Sequence, residues 1–147
     1  MKLVQVLILV VGTILLVGCG KINPEFTGDM NNAKKSGVLQ ITIEKVKVNT
    51  VNKDKEQLEV DYKIKNTSKE DEVGIIAQDF IIKNNSSDKE EYTYAAENLD
   101  NFNFMLKPNE EKSGKGFYNI NKSMRKMDLM FRPIQSNIDT IIWEFER

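Results

Sequence analysis

Leu58-Glu59-Val60-Asp61-Tyr62-Lys63-Ile64-Lys65 is the stretch that decides the fold. Apolar residues fall at every second position with charged ones between, the period of a strand that has one face in a core and one in water. Upstream, Leu39, Ile41 and Ile43 share one parity and Val46 and Val48 the other. A bulge near Glu44-Lys45 is needed to turn both sets inward. Downstream, Asn66-Thr67-Ser68-Lys69 is turn chemistry, and Ile75-Ile76 through Phe80 and Ile82 form a third apolar block. Asn84-Asn85-Ser86-Ser87-Asp88 breaks it, and Tyr92 and Tyr94 follow at period two. Ala95 to Asp100 reads as a loop or one helical turn. Phe104 and Leu106 lead into a turn at Pro108-Asn109-Glu110, and Gly114 and Gly116 precede a strand holding Tyr118 and Ile120. Met127, Leu129 and Phe131 alternate up to Pro133, and Ile141, Trp143 and Phe145 form the last alternating set.

Seven or eight short strands separated by regular turns over about 110 residues predict an all-β fold, an immunoglobulin-like antiparallel β-sandwich over residues 38–147. Heptads, long amphipathic helices and internal repeats are absent from the sequence. Residues 19–37 read as a flexible tether: Pro24, Gly28, Asn31-Asn32 and Lys34-Lys35-Ser36-Gly37 carry no apolar period. As a coil, this segment would hold the domain on the order of 20–25 Å from its attachment. Ile22 and Phe26 are its apolar exceptions.

Residues 1–18 read as a signal peptide. Lys2 precedes an apolar run, Leu3 to Val17, broken only by Gln5, Gly12 and Thr13. The run is shorter than the ~20 apolar residues that span a bilayer comfortably. It ends in Leu16-Val17-Gly18-Cys19, and Cys19 is the one cysteine of the 147-residue chain. This arrangement resembles the lipobox of bacterial lipoproteins. The resemblance implies a diacylglyceryl group on the Cys19 sulfur, removal of Met1 to Gly18, and anchorage to the extracytoplasmic face of the cell membrane; an uncleaved membrane anchor is the alternative. Two acyl chains suffice for stable anchoring, because one alone binds marginally.

Composition narrows the chemistry. The formal charge is −1, far from the basic excess of a nucleic-acid binder. There is no histidine, which removes Ser-His-Asp, Cys-His and His-based zinc chemistry. With its cysteine acylated, the chain would have no disulfide and no thiol nucleophile, so the apolar core alone must hold it together.

The order of several runs resembles a known family. Ile64-Lys65-Asn66-Thr67-Ser68-Lys69, Asp79-Phe80-Ile81-Ile82, Leu106-Lys107-Pro108-Asn109-Glu110, Tyr118-Asn119-Ile120-Asn121 and Leu129-Met130-Phe131-Arg132-Pro133 follow in that sequence. This is similar to the telokin-like, immunoglobulin-like domain of unknown function in Gram-positive lipoproteins, and to the immunoprotective extracellular antigen group. The likeness spans roughly Leu39 to Phe145. Asn109 stands where the family usually has glycine and Asn121 where proline is common. The resemblance implies a fold and an address, and no catalytic residues.

Other clusters have plain readings. Glu70-Asp71-Glu72 and Asp88-Lys89-Glu90-Glu91 are acidic, and Asn84, Asn85, Ser86 and Asp88 could offer oxygens to a cation, but the staggered spacing of a calcium loop is missing. They read as solvated loops. Of Tyr92, Tyr94, Phe102, Phe104, Phe117 and Tyr118, most should fill the core, as should Trp143. Phe117, of opposite parity to Tyr118 and Ile120, is the best single candidate for an exposed partner contact. Lys122, Arg125, Lys126 and Arg132 form a modest basic neighbourhood that reads as ordinary charged surface, with anionic lipid or teichoic acid as the alternative.

The expected function is that of a non-catalytic protein-interaction module on the cell surface. It is held to the membrane through lipid on Cys19 and meets an extracytoplasmic protein partner, without cofactor, metal or nucleic acid. A solute- or ion-binding lipoprotein is the alternative, and a small enzyme the third reading. Cys19→Ala is expected to abolish incorporation of an alkyne fatty acid and to shift the protein out of the membrane fraction. A variant that stays labelled refutes acylation at that sulfur.

Overall fold

Every second side chain from Leu58 to Lys65 is buried. Leu58, Val60, Tyr62 and Ile64 are fully enclosed, while Glu59, Asp61, Lys63 and Lys65 are half-exposed. The computed structural model describes residues 25–133 and 140–147, so Cys19 and the expected signal peptide lie outside the described residues. Among the described residues the chain forms eleven strands: β1 (Thr27–Gly28), β2 (Lys34–Ser36), β3 (Leu39–Thr50), β4 (Lys55–Asn66), β5 (Val73–Ile76), β6 (Phe80–Asn84), β7 (Tyr92–Tyr94), β8 (Asn103–Leu106), β9 (Glu111–Asn121), β10 (Lys126–Phe131) and β11 (Ile141–Glu146). A 3-10 turn, Ala77–Asp79, joins β5 to β6.

The strands build an all-β antiparallel sandwich. One sheet has the order β2-β3-β4-β9, the other β1-β11-β10-β6-β7, and β5 pairs with β8 in a separate ribbon. Their inward side chains share one core. Aromatic rings join the sheets: Tyr62 lies 4.5 Å from Phe80 between ring centroids and 5.2 Å from Phe102, and Phe80 lies 5.0 Å from Phe131 and 6.4 Å from Trp143. The Tyr62 and Tyr118 hydroxyls lie 2.6 Å apart, so two buried polar tips satisfy each other.

Local sequence explains the details. Pairing of β3 with β4 shifts register between Ile43 and Lys45, the expected bulge, and Ile43 and Val46 are both buried across it. Asn109 takes φ 61°, in the left-handed region that asparagine tolerates better than most residues, so it fits where a glycine would. In β9 the two glycines make room for rings. A Cβ on Gly114 would lie 2.5 Å from Phe104 Cζ and 2.6 Å from Phe102 Cβ, and one on Gly116 2.9 Å from the Tyr118 hydroxyl.

The part of the expected tether that lies among the described residues is not a free coil. Phe26 is 1 % exposed, β1 pairs with β11, and β2 pairs with β3, so the chain from Phe26 to Ser36 belongs to the sandwich. Its polar sequence lacks apolar periodicity because these are two- and three-residue edge strands, held by backbone bonds and one buried ring. The strand count exceeds seven or eight for the same reason, and because the single apolar block from Ile75 to Ile82 holds two strands, β5 and β6. Both edges of the sandwich are bridged. Lys34 Nζ donates to Asp29 Oδ2 and to the Ile142 carbonyl, both at 2.6 Å, while Ala95 pairs with Tyr118 where the chain crosses between sheets.

A buried ion pair sits at one end. Glu56 continues the inward parity of β4 and is 2 % exposed. Arg147 Nη2 lies 2.7 Å from Glu56 Oε2, as an ion pair rather than an aligned hydrogen bond. The same guanidinium donates from Nε to the Met124 carbonyl at 2.8 Å and from Nη2 to the Lys122 carbonyl at 3.1 Å. It also stacks 4.6 Å from the centre of the Phe26 ring. Removing one partner strands a desolvated charge, so Glu56→Ala is expected to lower stability by about 3–5 kcal/mol. Glu56→Leu combined with Arg147→Met should recover much of that loss. Urea midpoints check both, and a Glu56→Ala midpoint within error of wild type would contradict the pair.

Candidate functional site

The outer faces of the two sheets differ in chemistry. Strands β3, β4 and β9 turn Thr42, Glu44, Lys47, Glu59, Asp61, Lys63 and Lys115 to solvent. Charges there pair across strands: Lys63 with Glu44 at 3.2 Å, and Lys115 with Glu59 and with Asp61. The hydrogen bond from Lys115 holds the Glu59 carboxyl below its usual range. Such a face is at rest in water.

The outer face of the five-stranded sheet has an apolar row. Ile81 lies opposite Tyr94 on β7 and opposite Met130 on β10, and Met130 lies opposite Ile142 on β11. Directly opposed side chains are neighbours, with Cβ atoms ~4.5–5.5 Å apart, so Tyr94, Ile81, Met130 and Ile142 form one stripe across four strands. Tyr94 is 59 % and Ile142 39 % exposed. Tyr92, 42 % exposed, flanks the stripe opposite Lys83. Beyond it, Asp29, Asp128, Glu144, Glu146 and Lys126 line an open cleft of about 570 Å³. Lys34 donates to Asp29 and holds that carboxyl below its usual range.

This arrangement revises the reading of the aromatics. Of the six singled out, Phe102 and Tyr118 are buried, Phe104 and Phe117 half-buried, and Tyr92 and Tyr94 exposed. Tyr92 and Tyr94 pair with Lys83 and Ile81, whose positions on β6 face outward. Phe117 points away from the core, as its parity requires, but is half-buried on the charged sheet opposite Glu59. Its backbone N–H donates to Asn101 Oδ1 at 2.8 Å. Tyr94 is therefore the more open aromatic. Trp143 is fully buried, as expected of a core residue. The stripe itself had a sequence signal: Ile81 beside Ile82, Met130 between Leu129 and Phe131, and Ile142 between Ile141 and Trp143 place apolar residues at outward parity.

The polar loops are occupied with their own bonds. Asn84 Nδ2 donates to Glu91 Oε2 at 2.8 Å, and its Oδ1 accepts from the Ser86 backbone at 2.9 Å. Asn66 is fully buried: its amide donates to the carbonyls of Asp71, Leu106 and Lys107, and its oxygen accepts from the Ser68 N–H. Among the described residues, no group of three or more Asp, Glu, Cys or His side chains is placed to hold a metal. The basic neighbourhood divides, since Lys122, Arg125 and Lys126 lie at one end of β10 and Arg132 lies past the other.

No family model matches the chain, and no curated protein matches it. Solved structures do. A "putative lipoprotein" (ycdA) from Bacillus subtilis subsp. subtilis str. 168 has 18 % identity and a TM-score of 0.56, over 78 % of this chain and 38 % of that one. The yjhA protein from Bacillus subtilis has 17 % identity and a TM-score of 0.52, over 71 % of this chain and 79 % of that one. The chain thus spans well under half of the ycdA protein's length. At these identities the likeness shows the fold alone.

A second groove, about 560 Å³, lies at the far end beside the β5–β8 ribbon and includes Val73, Ile76, Phe104, Met105 and Asp79. Met105 is 58 % exposed. Asp79 accepts the Ile76 N–H at 3.0 Å, yet burial pushes its carboxyl above the usual range. The folded chain therefore binds this proton more readily than the unfolded chain. Stability from this group is greatest at low pH and falls as pH rises from the unfolded value through the folded one. Asp79→Asn keeps an oxygen for Ile76 and removes the titration. Its urea midpoint is expected to exceed that of wild type at neutral pH and to converge with it in acid; parallel profiles would refute the assignment.

Proposed function

We propose that the protein is a lipid-anchored, extracytoplasmic, non-catalytic interaction module that engages a protein partner through the outer face of its five-stranded sheet. The observation that carries this reading is the Tyr94–Ile81–Met130–Ile142 stripe, an apolar row on one sheet opposite a face of paired charges on the other. Tyr94 and Ile142 are the exposed ends of this row, joined through half-buried Met130 and buried Ile81. Exposed apolar side chains on one face are the usual core of a protein contact, and charge at the margin is the usual rim. The acidic cleft beside the stripe supplies such a rim. Absence of histidine from the whole sequence supports the non-catalytic part.

The anchor reading rests on Leu16-Val17-Gly18-Cys19 after an apolar run, and a fold neighbour named a "putative lipoprotein" is in keeping with it. We place the sandwich with the telokin-like, immunoglobulin-like domains of Gram-positive lipoproteins on the order of its sequence runs. Phe117, turned outward on the opposite sheet, would lie outside the main contact.

A solute- or ion-binding lipoprotein is the second reading, favoured by the two open clefts. Photo-crosslinking in intact cells separates the two. A crosslinking side chain at Tyr94 or Ile142 is expected to capture a discrete protein, whereas one at Thr42 or Lys63 captures none. Tyr94→Ser with Ile142→Ser should remove the product while moving stability by no more than about 0.5 kcal/mol per site, as exposed positions do. Silence from both faces, with calorimetric binding of a small ligand, would replace this reading with the second.

A further inference from the structure

The end of the sandwich where the chain enters has its own chemistry. Phe26 lies under the Arg147 guanidinium, and Arg147 bonds to the carbonyls of Lys122 and Met124, so residue 25 leaves the domain beside the β9–β10 turn. The β3–β4 hairpin meets the same turn: the Lys122 N–H donates to the Asp54 carbonyl at 3.0 Å, and Lys55 Nζ to Asn121 Oδ1 at 2.6 Å. Lys53, Lys55, Lys122 and Arg125 are thus gathered on one lip of this end, with Asp54 the acid among them. All four are exposed, and among the described residues none forms an ion pair, whereas neighbouring Lys126 is paired with Glu146 at 3.5 Å. Val51, 56 % exposed, sits at the hairpin tip beside them. The adjoining lip is acidic: the loop after β6 carries Asp88, Glu90 and Glu91 with Lys89, and it meets the basic lip at Arg125, since Ser86 Oγ accepts the N–H groups of Arg125 and Lys126.

Covalent reach limits which end can meet a membrane. Five residues separate Cys19 from Glu25, and the six steps between them span at most about 22 Å. Strand β4 alone, with 12 residues, is about 40 Å long. The far end, with the 67–72 loop and the β5–β8 ribbon, therefore cannot meet end-on a bilayer that holds Cys19 while residue 25 keeps its place. Only the chain-entrance end or a flank can. Between the lips of that end, unpaired cations fit an anionic lipid surface, while carboxylates oppose it.

We propose that the Lys53, Lys55, Lys122 and Arg125 lip rests on anionic phospholipid head groups of the bilayer that holds Cys19, with Val51 at the head-group boundary. This rests on the lipid-anchor reading. It fixes the orientation of the domain: the basic lip of the four-stranded sheet sits down, and the far-end groove is held outward.

The test uses the full-length acylated protein, reconstituted in vesicles containing a lipid-borne energy acceptor. Ser123→Cys reports on the basic lip and Lys69→Cys on the far end, each carrying a maleimide donor dye. In phosphatidylglycerol-containing vesicles, transfer from position 123 is expected to exceed that from position 69 severalfold. The excess should shrink in phosphatidylcholine alone and at ~1 M salt, where the Debye length is about 3 Å. It should also shrink in the Lys53→Glu, Lys122→Glu, Arg125→Glu triple variant. Equal transfer from the two positions, or an excess indifferent to lipid charge and salt, would overturn the proposal. So would protection of the 123 dye by a glycerol-phosphate wall polymer but not by anionic vesicles. Failure of the anchor is separately visible, because a protein without introduced cysteines would then take the dye at Cys19 and would not float with vesicles.

Discussion

The contact of Tyr62 with Phe80, 4.5 Å between ring centroids, is where one sheet meets the other, and the rest of the molecule is arranged around it. Phe102, Phe131 and Trp143 extend the same layer of rings. Among the described residues no covalent cross-link helps, since the sequence has a single cysteine, at position 19. Burying each of these rings contributes about 1.5–3 kcal/mol, so the layer is the largest localised source of cohesion. That requirement explains the small residues facing it. Gly114 and Gly116 leave the volume that Phe102, Phe104 and Tyr118 occupy, and any side chain there would displace a ring.

The polar groups of the interior follow a second logic, that of holding chain segments rather than binding ligands. Asn66 gathers three carbonyls at one end, and the Arg147 guanidinium gathers two carbonyls, a carboxylate and an aromatic face at the other. Both tie loops that are distant in sequence. With the interior committed in this way, the chemical contrast between the sheets lies on the surface, where their two faces differ most. One is a grid of paired charges, and the other carries the apolar stripe flanked by tyrosines.

Alternation makes most of the fold legible in the sequence. The inward set of β4, the bulge in β3 and the core role of Trp143 follow from parity alone, because a half-buried strand obeys a period of two. What parity cannot provide is the identity of the inward face in a short strand with aromatic residues and no charged partner to mark the outside. Tyr92 and Tyr94 illustrate this: their pattern is that of a strand, and only their place on an edge strand beside Lys83 and Ile81, with both rings exposed, shows that they face water. The edge strands β1 and β2 were illegible for a related reason, since backbone bonding to a neighbour leaves no trace in side-chain chemistry. Glu56 was invisible because its inward position is tolerated only through Arg147, which lies 91 positions along the chain. The candidate face sat between these cases: its residues could be read as apolar at outward parity, but their alignment into one row depends on register.

The two small strands at the start of the domain have a mechanical consequence. A pull on residue 25 loads β1 at the end where it leaves β11, so its few backbone bonds are stressed one after another rather than together. Such a geometry peels at low force, whereas strands loaded in parallel resist until all their bonds fail at once. Release of residues 25–36 would add up to about 40 Å of extended chain, since each freed residue spans ~3.3–3.6 Å. The ring layer would remain closed throughout, apart from the loss of Phe26. The first core side chain to leave under such a load is Phe26, and its departure uncovers the guanidinium of Arg147.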